Sequence, residues 1–320
     1  MSASQIPIAE PLVEVRRGAL TESRHRGHIV VIEPDGNIVN YLGAPQTVTF
    51  LRSSAKPFQA MPLLTSGAAE RFGFTDQEVA LACASHNGEP IHTEVVASML
   101  EKIGLGPEAL KCGIHEPYSV EVAGRLRLEG RAPNVLQNNC SGKHAGMLAV
   151  CRSHGWRTEG YRLPGHRMQR QNLEDVARLA DVAADDIRTA TDGCGVVTFA
   201  LSLERMARMF ASLTASREGQ RVADAMQTHP EYIRGAGATD TVLMQSIPGA
   251  VAKGGAEGLI CGLLPEGTGF ALKSADGNHR ALRAGLARFL PELGHELREF
   301  AATPFRNSRG EVVGEVVLAG

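Results

Sequence analysis

Strand-like segments at both ends of this chain enclose a long region with helical spacing, and this arrangement most restricts the possible folds. The terminal segments have strand-like composition, and turn residues such as Pro34-Asp35-Gly36 and Asp276-Gly277-Asn278 lie next to them. The segments are residues 12–16, 28–32, 37–42, 269–273 and 312–318. Because the turn Pro34-Asp35-Gly36 separates the second and third segments, these predict a hairpin.

The middle of the chain, residues 53–250, is mainly helical by its apolar spacing, for example at 173–180 and 197–212. A further helical pattern covers 280–301, and the glycine-rich stretches 235–239 and 249–258 predict loops. We therefore expect an α/β fold in which N- and C-terminal strands form one antiparallel sheet with packed helices and a helical lobe. Residues 10–318 would form a single catalytic unit, with the sheet drawn from about 10–50 and 265–318.

Composition favours a globular protein that acts on a small molecule. The chain has 320 residues, 43% hydrophobic and 21% charged, and a net charge of -2 with no long block of one sign, which argues against nucleic acid as a partner. No run is apolar enough to span a membrane, and Met1–Glu10 lacks the pattern of an export signal, so we expect a cytoplasmic protein. The six cysteines are dispersed, which favours reduced thiols or a metal site over disulfides.

The segment Arg52-Ser53-Ser54-Ala55-Lys56 offers a serine nucleophile with a lysine base. Ser53 and Lys56 are three residues apart and would share a face of a helix whose start is marked by Pro57. A lysine whose pKa is lowered by burial can accept the proton of a serine hydroxyl. By itself the S-x-x-K spacing is weak, because it arises by chance in many chains.

Two further motifs follow in an order that adds information. Ser85-His86-Asn87 resembles a polar turn, and Lys273-Ser274 ends a strand-like run where an exposed edge lysine is the simpler interpretation. Serine β-lactamases carry S-x-x-K, S-D-N and K-T-G in this order. The pattern here, S-S-A-K, S-H-N and K-S-A, therefore favours a serine β-lactamase-like fold without identifying a substrate.

Two cysteines lie in glycine-rich turns. Cys140 belongs to Asn138–Met147, and Cys194 belongs to Thr191-Asp192-Gly193-Cys194-Gly195. Two thiolates and a nitrogen ligand would suit tetrahedral zinc, but no C-x-x-C pair or paired histidine motif is present. By spacing alone, small buried turn residues remain the simpler interpretation.

Taken together, these segments resemble the class 3 L-asparaginases of the Rhizobium etli type over nearly the whole chain. The motifs that carry the resemblance are Arg52-Ser53-Ser54-Ala55-Lys56-Pro57, Ser85-His86-Asn87-Gly88-Glu89, Asn139-Cys140-Ser141-Gly142-Lys143-His144 and Asp192-Gly193-Cys194-Gly195. The resemblance implies a homodimeric amidohydrolase, related to serine β-lactamases and glutaminases, that cleaves L-asparagine to aspartate and ammonia.

The resemblance also implies roles for individual residues. Two serine-lysine pairs would fall on Ser53 with Lys56 and on Ser85 with Lys273, with Ser53 as the nucleophile. Zinc would be bound by Cys140, Lys143 and Cys194. The side chains expected to contact substrate are Asp192, Arg52, Asn87 and His144.

Several alternatives stay open at this point. Lys273-Ser274-Ala275 lacks the glycine of K-T-G, and Lys253 is a second lysine that could pair with Ser85. A β-lactamase or D-Ala peptidase would share the serine-lysine machinery, and a glutaminase would differ by one substrate methylene, a difference worth only about 1–3 kcal/mol. A non-catalytic amino-acid-binding protein is a further alternative, which ammonia release would exclude.

Overall fold

The computed structural model describes residues 7–320, so Met1–Ile6 of the segment Met1–Glu10 lie outside the described residues. The chain divides into two compact units. The first contains residues 7–54, 201–212 and 246–320, and the second contains residues 55–200 and 213–245. Whether residues 10–318 act as a single catalytic unit stays a prediction.

The secondary structure is as follows. The strands are β1 Glu10–Arg17, β2 Leu20–Ile32, β3 Ile38–Leu42, β4 Val48–Phe50, β5 Arg188–Thr191, β6 Val197–Ser202, β7 Val251–Gly255, β8 Leu259–Leu263, β9 Gly269–Ser274, β10 Ala302–Arg306 and β11 Val312–Leu318. The α-helices are α1 Lys56–Thr65, α2 Ala68–Phe72, α3 Asp76–Ala82, α4 Pro90–Lys102, α5 Val120–Leu128, α6 Ser141–His154, α7 Arg167–Ala180, α8 Leu203–Ala211, α9 Arg217–Thr228, α10 Pro230–Ile233, α11 Thr239–Ser246, α12 Leu282–Leu286 and α13 Arg298–Ala301. Among the described residues, no helix has both the length and the apolar character needed to cross a membrane.

An antiparallel sheet made from both ends of the chain forms the first unit. Its strand order is β10-β11-β1-β2-β9-β8-β7, and β3 also pairs with β2. The pairing of β1 with β11 joins the two termini, with Val13 opposite Leu318. The predicted α/β fold with a sheet closed by N- and C-terminal strands is confirmed, as is the hairpin of β2 and β3.

Strand β9 is covered on both faces, which explains its unbroken apolar character. Side chains alternate between the two faces of a strand. A Cβ on Gly269 would meet the backbone of Ala207 and Ala211 in α8, and Leu272 contacts Gly285 of α12. Because positions 269 and 272 face opposite sides, α8 and α12 cover opposite faces of the sheet.

The sequence prediction fails at two places in the first unit. Residues 249–258, predicted as a loop, contain the strand β7, which pairs with β8. Its glycines reflect close packing, because a Cβ on Gly255 would lie only 2.9 Å from the Leu51 carbonyl oxygen. The pattern at 280–301 is broken into α12, α13 and single 3-10 turns, and β10 follows it.

The second unit is built from helices, as predicted for the middle of the chain. Helices α1 and α6 form its centre and are buried along most of their length. The predicted helix at 197–212 is wrong in its first half, because Val197–Ser202 is strand β6, which pairs with β5. Val197, Thr198 and Phe199 favour a strand, but all three are buried, so no alternation marks it in the sequence.

Candidate active site

The pair Lys56 and Ser85 lies within the second unit. Lys56 is the first residue of α1 and is 0% exposed, and Ser85 follows α3 and is 4% exposed. The Lys56 amine donates to Ser85 Oγ at 2.9 Å and also to the Ala84 carbonyl oxygen. The backbone N–H of Ser85 donates to the Ile233 carbonyl oxygen at 2.8 Å, which fixes the segment that carries the hydroxyl. A lysine amine and a serine hydroxyl therefore meet in a buried, hydrogen-bonded arrangement.

The environment of Lys56 favours its neutral amine. Burial lowers its pKa, and the Lys143 charge acts in the same direction. The Cys140 and Cys194 thiols oppose this effect without cancelling it, so the pKa of Lys56 remains below its ordinary value. A neutral buried amine beside a hydroxyl can accept its proton.

Ser53 lies in a 3-10 helix, Arg52–Ala55, that runs directly into α1. Arg52, one residue earlier, has φ of 49°, in the left-handed region that a residue with a side chain seldom adopts. Such strain concentrates at functional segments, where the surrounding structure maintains it. Ser53 is half-buried, whereas the neighbouring Ser54 is buried and donates to the Lys253 carbonyl oxygen at 2.8 Å.

Of the candidate lysines in the first unit, Lys253 lies nearer to the segment that carries Ser53. Lys253 is fully buried on β7, and β7 contacts Leu51 and Ser54. Lys273 lies on β9, on the far side of β8, and its amine donates to the Ser274 carbonyl oxygen. The resemblance placed Lys273 beside Ser85, but the amine bonded to Ser85 is that of Lys56. A catalytic role for Lys273 stays a prediction.

The predicted metal ligands come together in the second unit. Cys140 precedes α6, Lys143 lies in its first turn, and Cys194 lies in the turn between β5 and β6. The Lys143 amine donates to Cys194 Sγ at 3.2 Å, and all three side chains are at most 5% exposed. No group of three His, Cys, Asp or Glu side chains in residues 7–320 forms a metal site, so this set depends on the lysine. No disulfide links cysteines in this part of the chain.

The pKa values of the two thiols, Cys140 and Cys194, shift in opposite directions. The contact with Cys140 and the nearby Lys143 and His144 lower the pKa of the Cys194 thiol far below its ordinary value, although burial opposes them. The same contact and burial raise the pKa of Cys140. Burial disfavours the Lys143 ammonium, but the Cys194 and Cys140 charges dominate and raise its pKa. In the absence of a metal, these directions favour an ammonium at Lys143 beside a thiolate at Cys194, an ammonium-thiolate pair.

His144 faces this cluster rather than open solvent. It is fully buried, and its Nδ1 is 2.6 Å from the Tyr161 hydroxyl, which accepts a hydrogen bond from the Lys111 backbone N–H. Burial lowers the pKa of His144, and its interaction with Cys194 acts in the opposite direction. The predicted substrate contact of His144 stays a prediction.

The other predicted substrate contacts lie at turns. Asp192 is half-buried, and its Oδ1 accepts from the Gly193 backbone N–H at 2.8 Å. Asp192 lies two residues before Cys194 in the turn between β5 and β6, and its charge adds to those of Cys194 and Cys140 in raising the pKa of Lys143. Asn87 follows the Ser85 segment, and its carbonyl oxygen accepts from the Ser119 N–H at 3.0 Å. The roles of Asp192, Asn87 and Arg52 in binding substrate stay predictions.

Sequence reasoning did not single out two buried polar residues of the second unit, His86 and Tyr161. His86 was visible only as the central residue of the S-H-N motif, and Tyr161 lies outside every motif. Both hydrogen bond across large sequence separations, from His86 to Ser141 and from Tyr161 to His144. Spacing in a single sequence carries no signal for such contacts.

The structure comparison matched solved structures at low identity and with TM-scores below 0.5. A structure of Mglu in its tris and glutamate form is 14% identical with a TM-score of 0.39, and the alignment covers 91% of this chain and 64% of that chain. A Bacillus glutaminase is 15% identical with a TM-score of 0.40, and the alignment covers 85% of this chain and 92% of the glutaminase chain. A β-lactamase from Mycobacterium bovis is 16% identical with a TM-score of 0.43, and the alignment covers 83% of this chain and 94% of the β-lactamase chain. The alignment thus spans less than two thirds of the Mglu chain in its tris and glutamate form. No curated protein matches significantly.

The family comparison covers nearly the whole sequence. The family model described as L-asparaginase II matches residues 13–318. This range includes most of both units. It also includes the Ser53–Lys56 segment, Ser85 and the predicted metal ligands Cys140, Lys143 and Cys194. The chain therefore belongs to the L-asparaginase II family of amidohydrolases.

Proposed function

We propose that this protein is an L-asparaginase that hydrolyses the side-chain amide of L-asparagine to aspartate and ammonia through a serine ester. Membership of the L-asparaginase II family supports the reaction class. The observation that carries the proposed chemistry is the buried Lys56 amine, which has a lowered pKa and is hydrogen bonded to Ser85 Oγ. Such an amine can remove a hydroxyl proton at neutral pH.

In the proposed reaction, Lys56 accepts the proton of Ser53 while Ser53 Oγ attacks the amide carbon. The bond between the amide carbon and nitrogen then breaks, the nitrogen takes up the proton, and ammonia leaves. Water attacks the resulting ester and releases aspartate, and the proton returns to Ser53. Ser85, bonded to Lys56 at 2.9 Å, would relay protons in both steps.

We favour Lys253 over Lys273 as the second catalytic lysine. The contact of β7 with Leu51 and Ser54 supports this choice, since Ser53 lies between those residues. In a Lys253→Ala variant the rate should fall by at least about 100-fold, whereas Lys273→Ala should retain most of it. If only the second variant loses activity, Lys273 is the catalytic lysine.

We also propose that Cys140, Cys194 and Lys143 bind zinc. Two buried thiols and an amine 3.2 Å from one of them are sulfur and nitrogen donors of the kind that zinc prefers. When bound, the ion would act as a Lewis acid that helps to position the substrate. Lys143 could bind it only as a free amine, so binding must displace the proton that the ammonium-thiolate pair holds.

Ammonia release from purified protein tests the proposed function. Asparagine should be hydrolysed, with glutamine as the substrate that differs by one methylene and a chromogenic cephalosporin as the β-lactamase substrate. Ser53→Ala should lose several orders of magnitude in kcat, as the loss of a nucleophile does. If Ser85→Ala abolishes turnover and Ser53→Ala does not, Ser85 is the nucleophile. Saturable asparagine binding without ammonia would instead indicate a binding protein.

The oligomeric state is proposed from the family resemblance alone, and the cytoplasmic location stays a prediction. We propose a homodimer, and sedimentation equilibrium of the purified protein tests the oligomeric state. A mass equal to a single chain of 34.1 kDa would contradict it.

A further inference from the structure

His86 connects the segment that carries Ser85 to the turn that carries Cys140. Its backbone N–H donates to the Asn139 carbonyl oxygen at 3.2 Å, and its ring Nε2 is 2.8 Å from Ser141 Oγ. Asn139 and Ser141 flank Cys140 in the chain. His86 itself directly follows Ser85, so one residue hydrogen bonds both sides of the thiol-bearing turn.

The hydrogen-bond network defines the tautomer of His86. Its Nδ1 accepts from the Gly88 backbone N–H at 3.1 Å, so the ring proton lies on Nε2. Ser141 Oγ donates its own proton to the Leu136 carbonyl oxygen at 2.8 Å and therefore accepts from Nε2–H. Each polar atom of the His86 and Ser141 side chains therefore acts as a defined donor or acceptor, so only one tautomer and one hydroxyl orientation satisfy the network.

The imidazole ring of His86 is also held by packing against a second ring. His86 is 0% exposed and stacks on His92 of α4, with centroids 5.0 Å apart and ring planes 14° apart. His92 is held by the Glu89 backbone N–H at its Nδ1 and by the Glu231 carbonyl oxygen at its Nε2. The ring of His86 is therefore fixed by packing as well as by hydrogen bonds.

We propose that His86 is a positioning residue that holds the Ser85 hydroxyl and the Lys56 amine in register with the Cys140 turn through its Nε2–H bond to Ser141. This inference rests on the proposed function for its catalytic consequence. Lys56 binds both Ser85 Oγ and the Ala84 carbonyl oxygen, so a shift of the 84–86 segment displaces both of its partners. A displacement of about 1 Å at a reacting group can cost on the order of 100-fold in rate.

Asparagine and glutamine variants separate the two ring contacts. His86→Gln places an amide near the Nε2 position and retains a donor to Ser141, whereas His86→Asn places an amide near Nδ1 and loses that donor. A matched control is His166→Asn. His166 Nδ1 likewise accepts from the backbone two residues later, at Met168, and its Nε2 is 2.9 Å from the Arg157 carbonyl oxygen, outside the proposed site.

The first measurement is kcat and KM for asparagine, with thermal unfolding recorded on the same samples. We expect kcat to fall on the order of 100-fold in His86→Asn with little change in KM, and His86→Gln and His166→Asn to stay near the wild-type value. Ser141→Ala should match His86→Asn, and combining them should add little. Equal losses in the Asn and Gln variants, or a folded His86→Asn protein with wild-type kcat, would overturn the proposal.

The second measurement does not depend on asparagine hydrolysis. Cys140 is 4% exposed, and its alkylation in metal-free protein, mapped by mass spectrometry, reports opening of the turn. The rate should rise by about tenfold or more in His86→Asn and Ser141→Ala but not in His86→Gln or His166→Asn. An unchanged alkylation rate in both of the first two variants would contradict the positioning role even if the wild-type protein did not hydrolyse asparagine.

Discussion

At the scale of single residues, the proposed chemistry depends on where two lysines are buried. Lys56 and Lys143 lie in the same unit and are almost inaccessible to solvent, yet their pKa values shift in opposite directions. Burial dominates at Lys56, whose pKa falls, whereas the Cys194 and Cys140 charges raise the pKa of Lys143. One lysine is thus suited to accept a proton and the other to balance a thiolate.

The pH dependence of the rate should report the lowered pKa of Lys56. As pH rises through that pKa, the fraction of neutral amine increases, so kcat/KM should increase and level off below the ordinary lysine pKa of about 10.4. Initial rates of ammonia release measured across the pH range give this profile. A rate that keeps rising through pH ~10.4 would show that no amine with a lowered pKa acts as the base.

The zinc content of the purified protein tests the proposed metal site at Cys140, Lys143 and Cys194. The wild-type protein should purify with zinc, and Cys194→Ser should lose most of it, because a serine hydroxyl is a far weaker zinc ligand than a thiolate. Cys261→Ser is a suitable control, since Cys261 is a buried thiol on β8 in the other unit. Elemental analysis of the purified proteins measures the effect, and equal zinc in all three would show that the ion binds elsewhere.

The sequence predicted the candidate site by residue type better than by pairing. Ser85 and Lys56 were both selected, and the structure joins them, but the prediction had assigned Ser85 to Lys273. The sequence left Lys253 as the alternative to Lys273, because its glycine-rich surroundings are typical of a loop. Only the pairing of β7 with β8 shows that Lys253 is a strand residue.

At the scale of secondary-structure elements, α6 depends on a glycine to approach α3. A Cβ on Gly142 would lie 2.3 Å from the Leu81 carbonyl oxygen, too close for the backbones to stay in place. Gly124 in α5 is also helical, but a Cβ there meets nothing within 4 Å. Glycine is therefore required in α6 and only tolerated in α5.

Alanine substitutions at these two glycines should have opposite effects on stability. Gly142→Ala should reduce the free energy of unfolding by about 1–3 kcal/mol, the usual cost of overpacking. Gly124→Ala should increase it by about 0.5–1 kcal/mol, because alanine is the better helix former. Denaturant unfolding curves measure both, and loss of stability in the α5 variant would contradict this explanation.

The elements with clear periodicity or turn signals were predictable, and the buried ones were not. The β2–β3 hairpin and α7 are present as expected, since each has an exposed and a buried side. Strand β6 was assigned to a helix because its residues are buried on both faces, and short apolar runs do not distinguish the two structures. Strand β7 was missed for a different reason, because the glycine-rich run 249–258 is typical of a loop in the sequence.

At the scale of the whole molecule, the two units are formed from different parts of the chain. The first unit joins the N- and C-terminal strands in one antiparallel sheet. The second unit is mainly helical and is formed by residues 55–200 and 213–245, while residues 201–212 between them belong to the first unit. The terminal sheet and the helical middle were both predictable from the sequence. The boundary near residue 54 was not, because no linker composition marks it.

The most direct test of the proposed mechanism is ammonia release from asparagine by Lys56→Met, beside wild type and Lys111→Met. Methionine fills the space of the buried amine without a proton acceptor, whereas Lys111 is exposed and donates to the Glu108 carbonyl oxygen. With folding verified by thermal unfolding, Lys56→Met should lose at least about 1,000-fold in kcat and Lys111→Met should match wild type. A folded Lys56→Met protein within tenfold of the wild-type rate would contradict the role of Lys56 as the base.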